Sequence, residues 1–188
     1  MNQGMRSEVA WPTMVSRLPG VAWPAIPGQQ GVILATLLAQ FEQSQWLPLP
    51  AIEAAQLSQL RVLIEHARRH SPFHAERFAG FRPEQNQSLR ECLTALPLMR
   101  RVDLQNGPAG IDCSWVPAEH GEVSMVRSTG STGEPITARR SGLNILIWMA
   151  MTLREHLWQR RDFSQSLASI RAQLAEEDTE RRGVAWSD

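Results

Sequence analysis

Between Gly31 and Gln45 the apolar residues Ile33, Leu34, Leu37, Leu38 and Phe41 recur three and four positions apart, which predicts an amphipathic helix. A second stripe of Leu57, Leu60, Leu63, Ile64 and Ala67 predicts another, with Arg61, Glu65, Arg68 and Arg69 on its opposite side. Pro72 ends that helix, because proline disfavours helical geometry in the residue before it. Shorter helical segments are expected at 74–79 and 88–95, and Pro97 marks the next break. The period changes near Glu122. Val123, Met125 and Val126 interleave with polar residues and predict a short strand, with Ile136 to Arg139 as the return strand of a hairpin. Ser141 then suits the N-cap of a helix running to about Gln159, whose apolar side is Leu143, Leu146, Ile147, Ala150, Leu153 and Leu157. Trp148 and Trp158 on this helix read as core. Phe163, Leu167, Ile170 and Leu174 predict a last helix that ends before Glu176, Glu177 and Asp178, since negative charge opposes the dipole at a helix C-terminus. Residues 1–30, rich in proline and glycine with Trp11 and Trp23 interspersed, predict an irregular arm.

Composition narrows the function classes. The 188 residues, 43% hydrophobic and 20% charged, suit one medium domain or most of one. Nineteen basic residues balance nineteen acidic ones, so no nucleic acid or anionic membrane is expected as a partner. Every basic residue is arginine; without lysine the chain holds neither a Walker phosphate lysine nor a Schiff-base lysine. Cys92 and Cys113 form no CxxC pattern, which argues against a disulfide framework or a zinc knuckle. The most apolar run, Leu143 to Leu153, contains Asn144, is followed by Arg154, and falls short of the roughly 20 residues that span a bilayer. The first 30 residues lack the apolar core of a secretory signal. A soluble, cytoplasmic protein is the expectation.

Candidate chemistry concentrates in Arg127-Ser-Thr-Gly-Ser-Thr-Gly-Glu-Pro-Ile136. Gly130 and Gly133 permit positive φ, while Ser128, Thr129, Ser131 and Thr132 supply hydroxyl and peptide donors, a composition that can cradle phosphate. The spacing is not Walker's, and Thr129 stands where a Gly-x-Ser-x-Gly elbow requires glycine. A plain surface hairpin has the same composition, and at this level both readings stay open. Arg127, Arg139 and Arg140 flank the loop closely enough to approach a triphosphate, with a solvated charge pair as the alternative. His66, His70 and His74, spaced by four, could align as metal ligands on an unbroken helix, but Pro72 interrupts it and no acidic or Cys ligand is near. Surface histidines are therefore preferred, and no metal site is assigned.

Ser128-Thr-Gly-Ser-Thr-Gly-Glu-Pro135 resembles the phosphate loop of the adenylate-forming superfamily, which closes in Thr-Gly-x-Pro. Gln56 to Phe73, running through His66-Ala67 into Ser71-Pro72-Phe73, is similar to the N-terminal helix of phenylacetate–coenzyme A ligase-like proteins. Leu96-Pro97-Leu98-Met99-Arg100-Arg101-Val102-Asp103-Leu104 resembles their Leu-Pro-x-hydrophobic-Thr-Lys-x-Asp-Leu segment, with arginines where lysine is usual. The likeness spans about residues 45–165; Ile136 replaces the Lys that many members carry after the loop. It implies an α/β fold, of which this chain would be the mostly helical N-terminal portion with a strand–loop–strand hairpin, residues 31–188 forming a partial domain after the arm. It further implies ATP and Mg²⁺, a carboxylate and coenzyme A as reactants, and β- and γ-phosphates held by Ser128, Thr129, Gly130, Ser131, Thr132 and Gly133. Family members run much longer than this chain, so an incomplete active site is expected. A non-catalytic or truncated helical module that pairs with a partner chain, or with itself through an exposed apolar helix, is the alternative.

Overall fold

Proline places the helix boundaries in the first half of the chain. The computed structural model describes residues 12–82, 87–105, 110–128, 135–163, 165 and 166. Residues 12–28 form no helix or strand, and α1 (Gln29–Ser44) follows. Helix α2 (Leu49–His70) starts after Pro48 and ends with Arg68, Arg69 and His70 in its last turn, where positive charge complements the helix dipole. Ser71 is extended, as its position before Pro72 dictates. It then caps α3 (Pro72–Arg77), whose His74 N–H donates to its side chain. Ser88 and Glu91 make a reciprocal capping box at the start of α4 (Leu89–Ala95).

The chain divides into two compact units, Ser44–Asn144 and Met1–Gln43 with Ile145–Asp188. In the first, α3 and α4 pack against α2; Ile64 is 4% exposed and Cys92 is fully buried. The expected stripe on α2 is narrower than its sequence suggested. Leu57, Leu60, Ile64 and Ala67 turn inward, but Leu63 is 58% exposed. It lies about 100° around the helix from Ile64, off the side that α3 and α4 cover.

Two short elements escaped the sequence pattern: α5 (Arg101–Gln105) and a single 3-10 turn at Ala118–His120. Asp103 anchors α5, accepting from the Arg100 N–H at 2.8 Å and lying 3.6 Å from Arg77. Arg77 also donates to the Leu98 carbonyl, tying α3 to this segment.

Strands β1 (Val123–Arg127) and β2 (Thr137–Ser141) pair antiparallel, and β2 runs into α6 (Gly142–Trp158). Ser141 caps that helix as expected: the Asn144 N–H donates to its hydroxyl at 3.4 Å, and Asn144 Oδ1 accepts from the Ser141 N–H at 3.1 Å. Mixed helix and two-stranded antiparallel sheet is thus the architecture of the described residues, consistent with the α/β class.

In the second unit Leu38 of α1 meets Leu153 and Leu157 of α6, with Phe163 packed on the cluster. The tryptophans of α6 depart from the core expectation: Trp148 is 49% and Trp158 54% exposed. The Arg154 guanidinium covers Trp158 at 4.6 Å and the Phe41 ring at 4.9 Å, so these rings pack under a cation at the rim. The helix expected over Phe163, Leu167, Ile170 and Leu174 lies almost wholly outside the described residues. No described helix is long and apolar enough to cross a membrane.

Candidate functional site

The hairpin register fixes which side chains share a face. Val123 pairs with Ser141, Met125 with Arg139 and Arg127 with Thr137, while Ser124 pairs with Arg140 and Val126 with Ala138. Directly opposed residues project to the same side and successive residues alternate. Arg127 and Arg139 therefore share one face with Thr137 and Met125, and Arg140 occupies the other. Of the three arginines that sequence placed near the loop, the fold brings two together.

Beyond Arg127 the chain is closed by a two-bond clasp. The Ser128 N–H donates to the Ile136 carbonyl at 2.8 Å, and the Ile136 N–H donates to Ser128 Oγ at 2.8 Å. Of the predicted loop residues, Ser128 thus stands at the neck, its hydroxyl oxygen accepting from the Ile136 N–H. Thr129, Gly130, Ser131, Thr132 and Gly133 lie outside the described residues.

Against the Met125, Thr137 and Arg139 face lies a cleft of about 210 Å³, walled on the far side by Leu104 and Gln105 of α5 and by Asp112. One Arg139 Nη donates to the Cys113 carbonyl at 3.3 Å. Burial, reinforced by the Asp112 carboxylate and opposed by the Arg139 guanidinium, pushes the Cys113 thiol above its ordinary pKa, which disfavours a thiolate nucleophile there.

The wall that carries Asp112 and Cys113 is fastened to the α2–α3 corner. Ser71, fully buried, places its hydroxyl 2.8 Å from the Gly110 carbonyl, 3.0 Å from that of Ile111 and 2.8 Å from His74 Nδ1. The Phe73 N–H donates to Gly110 and the Ser114 N–H to His70, at 3.2 and 2.6 Å. Gly110 has φ of +89°, and a Cβ there would lie 3.0 Å from Pro72 Cβ, so glycine is what allows this approach.

The three histidines separate. His66 and His70 pack as tilted rings 4.7 Å apart between centroids and both lie against Trp115, at 5.9 and 5.1 Å, whereas His74 belongs to the Ser71 cluster. Burial first, then the charges of His70 and His120, lower the pKa of His66. Among the described residues no three His, Cys, Asp or Glu side chains converge on a metal position.

Sequence reasoning missed Thr137, Asp112, Gln105 and Ser71. Strand alternation could have placed Thr137 beside Arg127 once the register was known; the other three arrive from segments that no local pattern links to the hairpin. No protein-family model matches the chain, and no curated protein or solved structure matches it either.

Proposed function

We propose that this chain is the N-terminal part of an ATP-dependent ligase that activates a carboxylate as its acyl-adenylate, releases pyrophosphate, and passes the acyl group to the thiol of coenzyme A. One observation carries the reading: the paired strands that the Ser/Thr/Gly stretch joins in sequence are closed at their neck by Ser128 and carry Arg127 and Arg139 on a single face. Two guanidiniums on one face suit an anion with several charged oxygens, because each can donate two bonds to phosphate. Thr129, Gly130, Ser131, Thr132 and Gly133 enter through their chemistry in the sequence, as donors to the β- and γ-phosphates. The chain's own contribution is to bind and orient the triphosphate and to offset its charge. No Mg²⁺ ligand is assigned.

The test is calorimetric titration of the 188-residue chain with ATP, alongside a pyrophosphate-release assay with aryl and fatty acids. ATP binding that weakens at least about a hundredfold in Ser131→Ala/Thr132→Ala is expected, because two bonds to charged oxygens are lost and each is worth roughly 1.5–3 kcal/mol. Unchanged affinity in that variant would remove the phosphate reading, and sustained turnover by this chain alone would overturn its partial status.

A second reading is favoured by the small core. Within Ser44–Asn144, Ile64 is buried, yet Trp46, Leu49, Val62, Leu63 and Leu98 are each more than half exposed. Apolar surface of this kind suits association with a partner chain or a second copy. Sedimentation velocity separates the readings: a single monomeric species that melts cooperatively would count against the association.

A further inference from the structure

The Arg139 guanidinium is carried by a long, exposed side chain on β2, and such a group loses rotamer freedom when it binds a ligand. It donates to the Cys113 carbonyl at 3.3 Å. That carbonyl sits in a short segment pinned on both sides: Gly110 and Ile111 accept from the Ser71 hydroxyl, and the Ser114 N–H donates to His70. The hydroxyl is wholly shielded from solvent, so water cannot replace it as a donor to the two carbonyls. Gly110 faces Pro72 with too little space for a side chain, since a Cβ there would lie 3.0 Å from Pro72 Cβ.

We propose that Ser71 is a positioning residue for Arg139: its buried hydroxyl fixes the 110–114 segment, and the Cys113 carbonyl then holds the guanidinium over the cleft before nucleotide arrives. The inference rests on the reading that Arg139 meets the phosphates of ATP. Ser71 itself touches no ligand. Its effect is transmitted through the backbone, so it depends on Arg139 being present.

The experiment is a double-mutant cycle on ATP affinity in the full chain, measured by calorimetry with wild type, Ser71→Ala, Arg139→Gln and the double variant, each checked for folding by circular dichroism. Arg139→Gln is expected to weaken binding about tenfold, the loss of a charge-assisted contact. Ser71→Ala is expected to weaken it about threefold to tenfold, and the double variant to bind no more weakly than Arg139→Gln alone. Independent, multiplying losses would mean that Ser71 acts by general stabilisation, and an unchanged Ser71→Ala affinity would equally overturn the proposal. If Arg139→Gln has no effect, the phosphate reading of this face falls as well. Should Ser71→Ala fail to fold, Gly110→Ala perturbs the same segment with every polar group retained and must show the same dependence on Arg139. A nucleotide-free readout completes the test: the ¹⁵N relaxation of the Arg139 side chain must report greater mobility in the Ser71 or Gly110 variant, and unchanged mobility would sink the idea.

Discussion

Ser71 Oγ lies 2.8 Å from His74 Nδ1, and the two carbonyls that share the hydroxyl favour one imidazole tautomer. The Gly110 and Ile111 carbonyls can only accept, so the single Ser71 proton points to them. His74 must then donate from Nδ1, which makes its neutral form the Nδ1–H tautomer and leaves Nε2 bare. Nitrogen-15 shifts of the His74 ring near neutral pH check this directly; a protonated Nε2 in the neutral ring would refute the proton accounting.

Burial, then the neighbouring Arg77 charge, hold the His74 pKa below its ordinary 6.5, and His66 is lowered in the same direction. The unfolded chain therefore binds protons at higher pH than the folded one. Their stabilising contribution is complete above 6.5 and is lost as pH falls through that value toward the lower folded one. The urea midpoint is expected to drop between about pH 7.5 and 5.5, with a shallower slope in His74→Gln. A midpoint that rises on acidification, or a slope that His74→Gln leaves intact, contradicts the assignment.

Arg139 and Arg140 are neighbours in sequence on opposite faces of the hairpin, and they should behave differently. Arg139→Gln is expected to reduce ATP affinity about tenfold and Arg140→Gln by about twofold or less, the latter through screened long-range charge alone. Calorimetry at two salt concentrations distinguishes them. Equal losses would show that the hairpin attracts nucleotide through net charge, without a preferred face.

Leu153 is 6% exposed and packs with Leu38 and Leu157. Leu153→Ala removes buried methyl groups and leaves a cavity, for an expected loss of roughly 2–5 kcal/mol. Urea unfolding with an unchanged m-value checks it; a loss below about 1 kcal/mol would mean that the α1–α6 contact collapses around the gap.

Ser141→Ala should cost α6 roughly 0.5–2 kcal/mol, because the Asn144 N–H loses its acceptor at the helix start. Ser141→Asp, which keeps a capping oxygen, is expected to retain most of the stability. Equal destabilisation by both, in thermal melts, would assign the effect to burial of the site, since Ser141 is only 8% exposed.

Local chemistry was legible. Helix α2, the extended residue before Pro72, the strand over Val123 to Arg127, and the cap at Ser141 all arise from interactions within a few residues, and the structure reproduces each of them, although Met125 on that strand is 64% exposed. Leu63 and the two tryptophans of α6 were misread because exposure depends on what covers a helix, and helical spacing does not contain that information.

The sequence by itself determined the longer helices, the hairpin strands, and that hydroxyl, glycine and arginine residues gather between Arg127 and Arg140. Only the tertiary structure decided how those residues are sorted. Strand pairing places Arg127 with Arg139 and sends Arg140 to the far side, and packing at the α2–α3 corner brings Ser71, Gly110 and Cys113 into line behind Arg139. The physical reason is separation along the chain. Ser71 and Gly110 are 39 positions apart, so their contact forms when elements pack and leaves no signature in local periodicity.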